Sequence, residues 1–302
     1  MMMNDQADKL REMALNVKQQ IENELINELK LTRVIVISSG KGGVGKSTLA
    51  LNISLSLCNR GKKVILMDAD LGMANIDIML GLTPQYNINH MLQGQKSLKD
   101  IIITGPQGMA VIPGGSGMAE LANLTTSELK KIMIELGKLD GEYDYMVIDT
   151  GAGISRNVLT FLLAADDVVI VTTPEPTALT DAYGVVKAIA RQSASKSIYL
   201  VVNRVNENAE GIMVAEKFKL VCSKFLNLDI KILGHVVNES MVGAGIRNQQ
   251  AFIQMFPGNI AAKNINNIAN NLMNTDFKSG ANSGTSSGGI RKFFRRVVGL
   301  AK

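Results

Sequence analysis

The sequence predicts an α/β protein in which a mostly parallel, doubly wound sheet of seven or eight strands carries helices on both faces. Three observations lead to this fold class. Apolar runs rich in β-branched residues recur along the chain, segments with helical periodicity separate them, and glycine or carboxylate residues follow several of the runs. The predicted strands are 34–37, 64–67, 109–113, 143–149, 168–173, 198–203 and 230–237.

The first predicted strand runs into a glycine loop that matches G-x-x-x-x-G-K-[ST] from Gly40 to Ser47, the pattern of a phosphate-binding P-loop. An ordinary glycine-rich turn is disfavoured because a strand precedes the loop and a helix follows it. Lys46 is expected to reach the β- and γ-phosphates, and the Ser47 hydroxyl to bind Mg²⁺. The predicted phosphate-binding residues are Gly40, Lys41, Gly42, Gly43, Val44, Gly45, Lys46, Ser47 and Thr48.

Two further predicted strands end in carboxylates. Asp68 and Asp70 follow the strand at 64–67 and share one side of the chain, and Asp149 ends the strand at 143–149. Ligands of open α/β sheets bind at the carboxyl ends of the strands. Asp149 also fits the Walker B pattern, in which the carboxylate holds Mg²⁺ through water. We therefore expect the carboxylates beside the phosphates.

A second lysine, Lys41, stands at the head of the loop, and KGGVGKST resembles the deviant Walker A loop of the MinD/ParA family of ATPases. The resemblance implies ATP and Mg²⁺ as cofactors and an ATP-dependent homodimer in which Lys41 contacts nucleotide across the interface. The alternative is that Lys41 is an ordinary solvated loop lysine. The resemblance also implies that Asp70 orients water and that Asn203, followed by Arg204, binds the adenine. The implied catalytic set is Lys41, Lys46 and Asp70, and the implied metal set is Ser47, Asp68 and Asp149.

Residues 1–30 predict a helix with one apolar stripe. Its segment DQADKLR, from Asp5 to Arg11, resembles the DQAxxLR signature that opens the FlhG-type flagellar-number regulators of the MinD family. The resemblance implies a partner-binding arm that engages an FlhF-type GTPase; the alternative is that the stripe packs on the body as core. The predicted partner-binding residues are Asp5, Gln6, Ala7, Leu10 and Arg11.

The C-terminal region consists of a Gly/Ser-rich linker at 278–289 and a predicted amphipathic helix at 290–302. Apolar residues on one face with flanking arginines are typical of an interfacial anchor on an anionic membrane. The alternatives are a nucleic-acid-binding tail, which would gain nothing from the apolar face, and a helix packed on the body, which would not usually require a linker. The predicted membrane-binding residues are Ile290, Phe293, Phe294, Arg295, Arg296 and Val297.

Charge and composition limit the function classes further. The net charge is +5, yet six basic residues and no acidic residue lie from Lys278 onward, so the chain before them has a net charge of −1. The net charge of the body therefore does not indicate that it binds nucleic acid. No apolar run is long enough for a membrane span, and two separate cysteines suggest buried thiols. We expect a cytoplasmic protein, peripheral at the inner face of the membrane.

These observations predict an N-terminal arm (1–30), a MinD-like P-loop domain (31–277), a linker (278–289) and a membrane-targeting helix (290–302). The leading functional hypothesis is a dimerising switch ATPase that regulates flagellar placement and number through an FlhF-type GTPase. Flagellar switch components or a flagellar transcription regulator are further candidate partners. The alternatives are a division-site regulator, a ParA-type DNA-partitioning ATPase and a metabolic P-loop enzyme.

Overall fold

A computed structural model describes residues 31–70, 75–114, 131, 134–193, 196–275 and 288–300. The predicted arm at 1–30, with its DQADKLR signature, lies outside the described residues, as does most of the linker. Among the described helices, none combines the length and the apolar character needed to cross a bilayer.

One eight-stranded sheet forms the centre of the protein, in the order β3-β4-β2-β5-β1-β6-β7-β8. Only the pairing of β3 with β4 is antiparallel, so the predicted doubly wound, mostly parallel sheet is confirmed. The short edge strand β3 was not predicted. The strands are β1 (Arg33–Ser39), β2 (Val64–Ala69), β3 (Ile103–Thr104), β4 (Ala110–Ile112), β5 (Tyr145–Thr150), β6 (Asp167–Thr172), β7 (Ser197–Val205) and β8 (Lys231–Val237).

Eleven helices of the described chain have defined bounds, and a 3₁₀ turn spans Pro106–Gly108. They are α1 (Lys46–Cys58), α2 (Ile76–Met79), α3 (Ile88–Leu92), α4 (Leu98–Ile101), α5 (Arg156–Ala164), α6 (Pro176–Gln192), α7 (Asn208–Leu226), α8 (Ser240–Arg247), α9 (Phe252–Met255), α10 (Ile260–Asn274) and α11 (Ile290–Leu300).

The helices cover the sheet as two layers. Because strand side chains alternate between faces, Val34 and Val36 enter one apolar cluster, whereas Ile35 and Ile37 enter the other. Helices α3, α4, α5, α6, α7 and α11 pack on the first face and are called the first layer. Helices α1, α2, α8, α9 and α10 pack on the second face and are called the second layer. The two layers bury the central strands on both sides.

The C-terminal helix α11 lies against the body, mainly on α5. Its apolar side chains Ile290, Phe293 and Phe294 are buried, and the Phe293 ring lies 5.7 Å from the ring of Phe161 in α5. The helix predicted from the sequence is therefore present, but its apolar face is covered. This is the packed arrangement that the sequence had disfavoured because a linker precedes the helix.

Two carboxylates, Asp140 and Asp166, join the start of β1 to the start of α11; we call the pair the carboxylate clasp. Each carboxylate accepts two backbone N–H groups, one from each segment. The bonds run from Thr32 (3.2 Å) and Arg291 (3.3 Å) to Asp140, and from Val34 (2.9 Å) and Gly289 (3.5 Å) to Asp166. Burial raises the pKa of Asp166 to about 6, although both N–H bonds oppose the rise. Gly289, the last residue of the predicted linker, thus takes part in docking the start of the helix.

Candidate nucleotide-binding site

The glycine loop is held in place by the end of β7. The Nδ2 of Asn203 donates to the carbonyl of Val44 at 2.8 Å. Gly45 has a φ of 91°, and a Cβ at this position would lie 2.4 Å from the same Nδ2. A glycine is required here both for the left-handed conformation and for the close approach of Asn203.

The head of the loop packs on α6. A Cβ at Gly40 would lie 2.1 Å from the carbonyl carbon of Asp181, so no side chain fits there. Beside it, the Nζ of Lys41 lies 2.9 Å from a carboxylate oxygen of Glu175 and 3.1 Å from the hydroxyl of Thr177. Lys41 therefore has an ion pair inside its own protomer, and its predicted contact across a dimer interface stays a prediction. Sequence reasoning missed Glu175 and Thr177.

The structure brings Lys46, Asp70 and Asp149 together, as the strand ends predicted. The Nζ of Lys46 lies 2.7 Å from Oδ1 of Asp149 and 4.0 Å from Oδ2 of Asp70. Asp149 is 1% exposed, and burial raises its pKa, while the charge of Lys46 and hydrogen bonds from Lys46 and the Ser47 hydroxyl oppose that rise. Lys46 thus neutralises a carboxylate that would otherwise be buried with its charge uncompensated.

The other oxygen of Asp149, Oδ2, is buried and has no hydrogen-bond partner among the described residues. A buried carboxylate oxygen without a donor suits a hard cation, which prefers oxygen ligands. The Ser47 hydroxyl lies on the same carboxylate. These donors fit Mg²⁺, with Asp149 and Ser47 as the residues that would hold it.

Asp68 organises the chain that follows β2. Its carboxylate accepts the backbone N–H groups of Asp70 (3.1 Å), Asn75 (2.8 Å) and Ile76 (3.1 Å). Burial raises the pKa of Asp68 to about 6, these N–H bonds oppose the rise, and the neighbouring charge of Asp149 adds to it. Asp68 therefore fixes the backbone that carries Asp70, while its predicted place in the magnesium shell stays a prediction.

A cleft of about 600 Å³ opens beside the glycine loop. The predicted base-binding residues Asn203 and Arg204 line it, and Arg204 has a φ of 57°, which is uncommon for a residue with a side chain. No sequence pattern predicted the opposite wall, which comes from the end of β8 and the start of α8 and includes Glu239. The cleft adjoins the phosphate loop and has room for a nucleoside.

Comparisons with known proteins agree with this geometry. The family model described as an AAA domain matches residues 32–208. The flagellum site-determining protein YlxH of Helicobacter pylori is 35% identical over 298 residues, which cover 98% of this chain and 99% of that protein. The antiactivator FleN of Pseudomonas aeruginosa is 32% identical over 225 residues, or 74% of this chain and 80% of FleN.

Solved structures of MinD proteins share the fold. MinD with Mg-ADP from Pyrococcus horikoshii superposes with a TM-score of 0.67 at 25% identity, covering 80% of this chain and 96% of that one. The MinC:MinD complex of Aquifex aeolicus gives a TM-score of 0.65 at 28% identity, with coverages of 81% and 97%. Together with the family model and the two relatives, these similarities show that the chain belongs to the MinD/ParA family of P-loop ATPases.

Proposed function

We propose that this protein is an ATP- and Mg²⁺-dependent switch ATPase that regulates the placement and number of flagella. The observation that carries the proposal is the similarity to YlxH, a flagellum site-determining protein, over almost the whole of both chains. The MinD of Helicobacter pylori, a septum site-determining protein, is 32% identical but covers only 65% of this chain. A flagellar role is therefore better supported than a role in division-site selection.

Each of the site residues would have its own role in ATP binding or hydrolysis. ATP would draw the ammonium of Lys46 from Asp149 toward the β- and γ-phosphates, since both are anionic partners within reach of one side chain. Asp149 and Ser47 would then be available to hold Mg²⁺, which neutralises developing charge on the phosphates. Asp70 would orient the attacking water, and Lys41 would have to leave Glu175 to reach a second protomer.

Membrane association is the second part of the proposal, and α11 is the element that would carry it. Its apolar face is buried on α5, so it must leave the body before it can enter a bilayer. Helix α5 starts at Arg156, directly after the glycine segment that follows Asp149. In that segment, the N–H of Gly153 donates to the carbonyl of Ser39 at 2.8 Å, beside the phosphate loop. A change of nucleotide can therefore reach α11 through α5.

Attachment to anionic vesicles is expected to be strong with ATP and weak with ADP, because a dimer presents two amphipathic helices at a high effective concentration. Phe293→Glu should abolish sedimentation with the vesicles, since it puts a charge into the apolar face, and should leave nucleotide affinity unchanged. Co-sedimentation with the vesicles measures the attachment of the wild type and of Phe293→Glu. Equal sedimentation of the wild type with ATP and ADP would contradict the coupling, and full sedimentation of Phe293→Glu would rule out α11 as the anchor.

The flagellar function itself is tested through the N-terminal arm. Deleting residues 1–12 should leave ATP binding intact and abolish stimulation of an FlhF-type GTPase, because the deletion removes Asp5 to Arg11. A matched truncation of residues 1–4 keeps the signature and should stimulate like the full chain. GTP turnover by the partner is the readout. Undiminished stimulation by the longer truncation would reduce the signature to a structural helix.

A further inference from the structure

Helix α7 exposes an unusual number of large apolar side chains. Ile212, Met213, Leu220 and Phe225 are 58%, 64%, 66% and 65% exposed. Among the described helices, no other carries more than two exposed large apolar residues. Single exposed apolar residues are common on protein surfaces, but a group of them on one element marks an interaction surface.

Three of the four side chains lie on one side of the helix. At 3.6 residues per turn, Ile212, Met213 and Leu220 fall within about a third of the circumference, whereas Phe225, in the last turn, lies about a further third of the circumference away. The buried residues of α7, which include Phe218 and Cys222, point the opposite way into the core. The apolar side of the helix that faces solvent is therefore separate from the one that packs on the sheet.

The same side of α7 carries two lysines and one glutamate. Lys217 and Lys224 lie next to Met213, and Glu216, the one exposed acidic residue of the helix, lies between Ile212 and Leu220. We call the exposed side formed by Ile212, Met213, Glu216, Lys217, Leu220 and Lys224 the α7 face. It joins apolar side chains and lysines, the combination found at membrane interfaces.

Four helices of the first layer together have the same sign of charge. The exposed charged side chains of α5, α6, α7 and α11 are seven basic and two acidic, whereas those of the second-layer helices are Arg247 and Lys263 alone. The seven are Arg156, Lys187, Arg191, Lys217, Lys224, Arg291 and Arg295, and the two are Asp181 and Glu216. Five of the seven, and both acidic residues, belong to the body, whose near-neutral total charge thus conceals a basic outer surface on the layer that also carries α11.

We propose that the α7 face is a second membrane contact, which lies on an anionic lipid surface when α11 is inserted beside it. The inference rests on the proposed membrane association. Charge complementarity favours lipid: the lysines meet anionic headgroups, and the apolar side chains enter the boundary below them. A second copy of the chain is disfavoured, because each copy would bring the same predominantly basic surface to the contact.

The contact would also orient the body. An undocked α11 alone would give the body no fixed direction, whereas α7 packs on the first face of the sheet. With both engaged, the first layer faces the bilayer. Each lysine near an anionic surface contributes about 1 kcal/mol, so the loss of one corresponds to roughly fivefold weaker binding.

The test uses the full chain with ATP and Mg²⁺ and vesicles of equal parts phosphatidylglycerol and phosphatidylcholine. Lys217→Glu should bind at least about fivefold more weakly than the wild type. This loss of affinity should be larger at low salt than at high salt. Lys263→Glu, on the exposed side of α10, changes the net charge equally and should bind like the wild type. Leu220→Ser should also weaken binding, and Ile260→Ser, at the start of α10, should not.

Equal binding by Lys217→Glu and Lys263→Glu would overturn the lipid assignment and favour an acidic protein as the occupant of the α7 face. A loss for Lys217→Glu without a loss for Leu220→Ser would overturn the apolar contact. If Phe293→Glu does not bind the vesicles but Lys217→Glu and Leu220→Ser bind like the wild type, this inference fails and the proposed membrane anchor stands. If the wild type does not bind the vesicles, both fail.

Discussion

Replacing Lys46 with alanine is expected to weaken ATP binding by about 100-fold or more. The ammonium would make charge-assisted hydrogen bonds to the phosphates, and such bonds contribute up to about 3 kcal/mol. Isothermal titration or a fluorescent ATP analogue measures the loss. Lys41→Ala is the matched control, since it removes a lysine from the same loop: it should retain most nucleotide affinity but lose the ATP-dependent dimer in light scattering. An unimpaired dimer of that control would refute the interface role of Lys41.

The Lys46 variant needs a second control, because Lys46 also neutralises buried Asp149 in the structure. Removing one member of a buried ion pair costs about 3–5 kcal/mol of folding stability. Adding Asp149→Asn should recover most of the thermal stability without recovering ATP binding. A variant that is stable and still binds ATP like the wild type would remove Lys46 from the phosphate site.

Replacing Asp70 with alanine is expected to slow ATP hydrolysis by roughly 10²- to 10⁴-fold, the usual contribution of a positioned acid–base group. ATP binding and the dimer should persist, because Lys46 and the glycine loop remain intact. The Asp70 carboxylate is 21% exposed and stands 4.0 Å from the Lys46 ammonium, beside the position expected for the γ-phosphate. The loss should therefore appear in turnover.

Single-turnover phosphate release and light scattering together measure this effect. Asp77→Ala serves as the matched control, because it removes a nearby carboxylate whose hydrogen bond, to the N–H of Ile78, is local to α2. The control should hydrolyse ATP at the wild-type rate. If Asp70→Ala also turns over at that rate, another group must orient the water.

The sequence predicted those features of the structure that depend on a local pattern of residues. Strand patterns predicted seven of the eight strands, and the P-loop pattern placed Lys46 beside the strand ends of Asp70 and Asp149. This works because parallel strands bring their carboxyl ends to one edge, so a residue directly after a strand has a known location. The order of the strands is not needed for that inference.

Contacts between distant segments could not be predicted in this way. Glu175 follows Lys41 by 134 residues, and Asn203 follows Val44 by 159. Nothing in the local pattern of either segment specifies its partner. The docking of α11 has the same origin: an amphipathic helix exposes an apolar face whether a bilayer or a protein groove covers it, and the groove on α5 exists only in the folded chain.

The carboxylate clasp sets a threshold for the proposed attraction of the membrane. To leave the body, α11 must give up two N–H bonds to Asp140 and Asp166, each contributing about 1 kcal/mol, in addition to its buried apolar contacts. Those two bonds alone reduce the undocked fraction, and with it the apparent lipid affinity, by roughly 30-fold. In a dimer each helix must break its own clasp, so pairing helps because the second helix meets the bilayer at a high effective concentration once the first is inserted. The clasp would thus make a graded lipid attraction into a response that depends on pairing.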